Sequence, residues 1–222
     1  EENGLQIGST LTLKELEASN IVKEKYPALY QGSSSIASTQ IRNVATIVGN
    51  ICNAVPSADS APSLLVLGAK VKILSSEGER IVPIEEFFTG VCRTVLKRNE
   101  VVVEVQIPAP KAGVKSVYYS HTARRALDLA MVGVAVSGTV KDGKFEDVKI
   151  GLGAVAITPK RALEAEALVN GKEVTKELIE EAAELACMKD CSPITDMRAT
   201  SEYRREMVRV LTRNGLCEVA GL

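Results

Sequence analysis

The sequence predicts an α+β chain built as two lobes, and three observations predict it. Strand-like and helix-like segments are grouped rather than strictly alternating. A breaker cluster, Pro108 to Gly113 (PAPKAG), divides the chain near its middle. Beyond it, consecutive strand patterns are followed by amphipathic helices. The expected division is residues 1–110 and 111–222. At 222 residues and 45% hydrophobic content, the chain is long enough to bury a substantial core. No internal repeat or low-complexity segment interrupts it.

LQIGS predicts a short strand ending near Gly8, and Thr12 with Glu15 three residues on forms a capping box opening a helix. Pro27 starts another helix, which ends near the polar run Gly32 to Ser35. Leu64 to Leu67 forms part of a short buried helix. VKIL (Val71 to Leu74) and RIVPI (Arg80 to Ile84) are strands flanking a turn from Ser75 to Gly78. Glu100 to Ile107 is alternating and β-branched, hence a further strand. In the second half, SVYYSH, AMVGVAVSGTV and FEDVKIGLGAV predict three antiparallel strands, with Lys141 to Lys144 as a hairpin turn. Two helices follow. Glu177 to Ala186 carries Leu178, Ile179, Ala182, Leu185 and Ala186 on one stripe, and Glu202 to Thr212 carries Tyr203, Met207, Val208 and Leu211 on another; both stripes are core faces.

Charge and composition exclude several classes of function. The 27 basic and 28 acidic residues nearly cancel, which disfavours a nucleic-acid partner. The apolar run Ala130 to Val136 is too short to span a bilayer, and EENGLQIGS lacks the plan of a signal peptide. A soluble, cytoplasmic protein is expected. Five dispersed cysteines argue against a secreted disulfide framework. Cys187 and Cys191 lie one helical turn apart but have no second pair to complete a metal site, so buried thiols on a helix are expected. His121, the single histidine, has no nucleophile beside it by motif, and GxSxG is absent.

The most informative stretch is Ile41 to Asp59, IRNVATIVGNICNAVPSAD. It places a Gly-Asn turn (Gly49, Asn50) after an apolar segment, then small residues, a proline and one acidic side chain. Small residues let main-chain N–H groups approach a nucleotide-like ligand closely. The stretch resembles the second flavin-binding segment of the FAD-binding subunits of molybdenum hydroxylases, the xanthine dehydrogenase and carbon monoxide dehydrogenase family. The likeness continues through LQIGSTLTL, ARRALDLAMVGVAV (Ala123 to Val136), GLGAVAITPKRA (Gly151 to Ala162) and DMRATSEYRREM (Asp196 to Met207).

That resemblance implies a partial FAD-binding α/β lobe followed by a C-terminal lobe whose small antiparallel sheet packs on helices. It further implies that Thr46, Ile47, Val48, Gly49 and Asn50 contact FAD, that Asp59 accepts hydrogen bonds from it, and that Ile36 and Val102 offer aliphatic walls. Each residue also has an ordinary alternative: Thr46 and Asn50 as turn formers, Asp59 as a helix cap, Ile36 and Val102 as core. As an ordered set they favour a ligand, because convergent polar groups mark pockets.

Three departures stand out. Val48 replaces the first of two glycines, where positive φ would cost a valine about 1–2 kcal/mol. Ser120 stands where relatives often place a lysine, ahead of Arg124 and Arg125. No glycine-rich GGxxL segment occurs, so the other half of the pyrophosphate cradle belongs to a separate N-terminal flavin lobe or to a longer chain of which this is a piece.

With no nucleophile and base assembled, the redox chemistry is expected from the cofactor itself. The resemblance implies a molybdopterin-binding large subunit and an iron-sulfur small subunit as partners, with electrons reaching FAD and leaving to an acceptor such as NAD. The alternative is a flavin-free structural or assembly subunit of such a complex, motivated by Val48, Ser120 and the missing first lobe.

Overall fold

The computed structural model describes residues 4–124 and 127–222. In chain order, the first half places β1 (Leu5–Gly8), α1 (Leu13–Ala18), α2 (Asn20–Lys25), α3 (Pro27–Ser35), α4 (Thr39–Arg42), α5 (Ile47–Asn53) and α6 (Ser60–Val66). The hairpin β2 (Lys70–Ser75) and β3 (Gly78–Pro83) follows, then α7 (Ile84–Phe87), β4 (Phe88–Gly90), β5 (Arg93–Thr94) and β6 (Val101–Ile107). The second half runs β7 (Lys115–His121), β8 (Val132–Lys141), β9 (Lys144–Gly153), β10 (Lys160–Arg161), α8 (Leu163–Val169) and α9 (Lys176–Leu185). A π-turn, Ala186–Asp190, precedes the long α10 (Ser201–Ala220).

Local chemistry sets the helix starts. Thr12 caps α1 through a reciprocal capping box: its Oγ1 accepts the Glu15 N–H at 3.2 Å, and Glu15 Oε2 accepts the Thr12 N–H at 2.9 Å. Pro27 opens α3, where its missing N–H costs nothing. The hydroxyls of Ser19, Ser38, Thr46, Thr175 and Thr200 each accept a first-turn N–H and so cap α2, α4, α5, α9 and α10.

The strands form two antiparallel four-stranded sheets, ordered β1-β6-β2-β3 and β10-β9-β8-β7, with β4-β5 as a small separate pair. The first sheet buries Ile7, Val71, Ile73 and Val105 against Leu13, Leu29, Ile51 and Leu64 of the helical layer. The second buries Val134, Val136, Phe145 and Ile150 against Ile179, Val208 and Leu216. A small cluster of Ala28, Val66, Tyr118 and Ala135 joins the two. The architecture is α+β with two lobes, as the sequence predicts.

One strand departs from simple alternation. Val132 through Gly138 of β8 is buried without a break, because α3 and α6 cover one face of this sheet while α10 covers the other. The helices come this close because a glycine stands on one side of each contact, on the sheet under α6 and on the helix in α10. A Cβ on Gly151 would lie 2.5 Å from the Pro62 carbonyl oxygen of α6, and one on Gly215 of α10 would meet the Val136 side chain.

Three local expectations are corrected. Gly49 and Asn50 lie inside α5 rather than in a turn, because Thr46 caps a helix that buries Ile47, Val48 and Ile51 on one side. The last helix extends to Ala220, well beyond Thr212. Its Tyr203 is 44% exposed rather than core, and the buried stripe runs through Arg204, Val208, Thr212, Gly215, Leu216 and Val219.

Candidate functional site

The residues singled out by sequence fall on the helical layer between the sheets and on its neighbours. Thr46 has extended backbone, φ −124° and ψ 158°, and its Oγ1 accepts the Gly49 N–H at 2.9 Å. The first-turn amides of α5, those of Ile47 and Val48, are not used by intrahelical bonds. Val48 lies within this helix at ordinary φ, so no strain arises there; positive φ between Ile41 and Asp59 falls on Ala54, which ends α5 at φ 50°. Asn50 serves as a tie: its Oδ1 accepts the Ser60 hydroxyl at 2.6 Å and fastens α5 to α6. Val102 is buried on β6 opposite Ile73 of β2. Ile36 is buried at the end of α3, immediately before Ala37, which has positive φ.

Asp59 is the sequence-selected residue that faces a cavity. The space is about 460 Å³, walled by Ser35, Arg42 and Asp59 from the first half and by Ser120, Arg124 and Asp128 from the second. Asp59 stands at the cap position of α6 but makes no capping bond. Its Oδ1 instead accepts the Tyr118 hydroxyl at 2.5 Å. Burial pushes its carboxyl up to about 6, and the Tyr118 bond acts in the opposite direction without cancelling it. Gly32 lets α3 run close beside it, since a Cβ there would lie 2.8 Å from the Asp59 carbonyl oxygen.

The cavity walls are ordered by two arginines. Arg42 Nη1 donates to the carbonyl oxygens of Ile36 at 3.0 Å and Ala37 at 3.4 Å, while its Nε pairs with Glu17 at 3.3 Å. This holds the turn beside Ile36 in place. Arg124 donates to the Leu127 carbonyl at 3.2 Å, and the Asp128 carboxylate accepts the N–H groups of Arg124 at 3.0 Å and Leu129 at 2.9 Å. Arg125 lies outside the described residues.

Tyr118, Arg42 and Asp128 were not singled out by the sequence. Tyr118 sits in SVYYSH, where alternation marks a strand but says nothing of a partner 59 residues earlier. His121 Nε2 lies 2.9 Å from the Tyr203 hydroxyl, a pairing without a nucleophile. Cys187 and Cys191 are buried, with each thiol directed at a backbone carbonyl, and burial pushes Cys187 up to about 11. Among the described residues, no cluster of three or more His, Cys, Asp or Glu could hold a metal ion, and no helix is long and apolar enough to cross a membrane.

Such a site can bind and orient a ligand; its residues do not assemble a hydrolytic or metal centre. Asp59 offers this cavity a buried acceptor for an N–H or O–H donor, whereas Ile36, Val102 and the start of α5 are not among the residues that wall it.

Fold and site together present a polar cavity walled by both halves of the chain. Residues 1–110 match the FAD binding domain in molybdopterin dehydrogenase, and residues 117–219 match the CO dehydrogenase flavoprotein C-terminal domain. The chain belongs to the family of FAD-binding subunits of molybdenum hydroxylases, and is an oxidoreductase flavoprotein. It is 35% identical over 219 residues to the xanthine dehydrogenase FAD-binding subunit of Escherichia coli, covering 98% of this chain and 75% of that one. It is likewise 35% identical to the glyceraldehyde dehydrogenase medium chain of Sulfolobus acidocaldarius, over 98% of this chain and 76% of that one. The fold superposes on a carbon monoxide dehydrogenase chain from Hydrogenophaga pseudoflava with a TM-score of 0.94 at 32% identity, covering 100% of this chain and 76% of that one.

Proposed function

We propose that this chain is the electron-transfer flavoprotein of a multi-subunit molybdenum hydroxylase. It receives electrons from iron-sulfur clusters in a small subunit and delivers them to an acceptor such as NAD. Substrate hydroxylation belongs to a molybdopterin-binding large subunit, and the complex works in the cytoplasm. Bound FAD supplies the redox chemistry. The chain's own residues bind and orient it: the first turn of α5 from Thr46 to Asn50, the carboxylate of Asp59, and the aliphatic walls of Ile36 and Val102. The functional boundary between a flavin lobe and a C-terminal lobe is placed at residues 110–111. The remaining phosphate cradle lies outside these 222 residues, on a separate N-terminal flavin lobe or on a longer form of this chain.

The observation that carries this reading is the cavity with Asp59 on its wall, in a chain whose family binds FAD. The test is the purified native complex. A flavin absorbance band that bleaches on adding the reducing substrate and recovers on adding the acceptor supports the proposal. A colourless complex that FAD does not reconstitute overturns it.

A further inference from the structure

We propose that Tyr118 is a positioning residue for the flavin: its hydroxyl holds the Asp59 carboxylate so that one oxygen stays open to a donor group of the ligand. This deepens the function proposed above and rests on it.

The Tyr118 hydroxyl donates to Asp59 Oδ1 at 2.5 Å, deep in the protein. Asp59 Oδ2 has no donor among the described residues, although Asp59 lines the cavity. The carboxylate therefore has one oxygen engaged and the other free to accept from an imide N–H or a polyol hydroxyl. Tyr118 itself cannot shift. Its ring packs with Ala28, Val66 and Ala135, and its hydroxyl fills the space over Gly133, where a Cβ would lie 2.7 Å away. The tyrosine comes from β7 of the second half and the carboxylate from the start of α6 in the first. The orientation of a cofactor-facing group is thus set across the junction of the lobes.

Asp59 has few other charged neighbours. Arg42 from the first half and Arg124 and Asp128 from the segment after β7 are the charged groups facing this cavity among the described residues. The two packed helices, α3 (PALYQGSSS) and α6 (SAPSLLV), carry no charged side chain. Burial raises the Asp59 carboxyl to about 6, and the tyrosine bond opposes that rise. Tyr118→Phe keeps the ring and removes the hydroxyl's bonds to Asp59 and to the Ser120 side chain, so the carboxylate should become harder to ionise.

The experiment is titration of the purified protein with FAD, followed by flavin fluorescence, across about pH 5 to 8.5. For the parent protein, affinity should be level above about pH 7 and fall tenfold per unit well below about pH 6. In Tyr118→Phe the bend should move upward by about one unit, so affinity is about threefold weaker near pH 6.5 and close to the parent's near pH 8.5. Tyr118→Phe with a bend at the parent's position overturns the proposal. Should that variant fold poorly, Asp59→Asn gives a second reading. Its affinity should be flat across the range, and a retained bend would overturn the assignment. A parent protein that binds no FAD at any pH removes the proposed function along with this inference.

Discussion

At the scale of single residues, Asp59 sets stability and ligand capture against each other. Its carboxyl rises from an ordinary value of 3.8 to about 6 because burial disfavours the charged form. A folded value above the unfolded one favours the folded state fully only below about pH 4. That advantage is lost as pH climbs to about 6, leaving a cost on the order of 3 kcal/mol at neutral pH. Asp59→Asn should therefore raise the melting temperature at pH about 7 while weakening FAD binding, and the gain should vanish near pH 4; paired thermal melts would reveal it. Asn50 acts differently. Asn50→Leu strips the fully buried Ser60 hydroxyl of its acceptor, with an expected cost of about 1–3 kcal/mol. Flavin content per chain should fall while the C-terminal lobe stays folded. Full flavin retention in that variant would reduce Asn50 to a tie between α5 and α6.

At the scale of elements, legibility followed periodicity. The strands β2, β3, β6, β7, β8 and β9 were visible because alternating or continuous apolar runs were bounded by turn residues. The capping box of α1 was equally plain. In contrast, α5 was hidden, since Gly49 and Asn50 carry turn character that the burial of Ile47, Val48 and Ile51 overrides. The cue was present in Thr46 followed by apolar residues at helical spacing. The full length of α10 was missed because the stripe read there runs through Tyr203, Met207, Val208 and Leu211, whereas the buried one continues to Val219. Gly215 on that stripe is a contact point, where the helix lies directly on Val136 of β8. Gly215→Ala should accordingly destabilise by about 1–3 kcal/mol through overpacking, despite alanine's better helix propensity. A chemical denaturation curve with an unchanged slope and a lower midpoint would be the expected result.

For the whole molecule, the two lobes share one helical layer. The layer containing α3 and α6 packs on the first sheet through Leu29 and Leu64, and on the second through Ala28 and Val66. The sequence announced a division near PAPKAG but could not announce this sharing, because the contacts join residues far apart in the chain. The same holds for the cavity, whose walls come from both halves and whose Asp59–Tyr118 bond spans 59 positions. Motif order made Asp59 conspicuous; nothing local pointed to the phenol. Heating should produce one calorimetric transition rather than a stepwise loss of lobes. The doubly covered β8 carries this furthest. Its amides at Val134, Ala135 and Val136 lie under helices on either side, so partial opening of one lobe leaves them shielded. Deuterium should enter these three positions last, through global unfolding alone, making them the slowest clock in the protein.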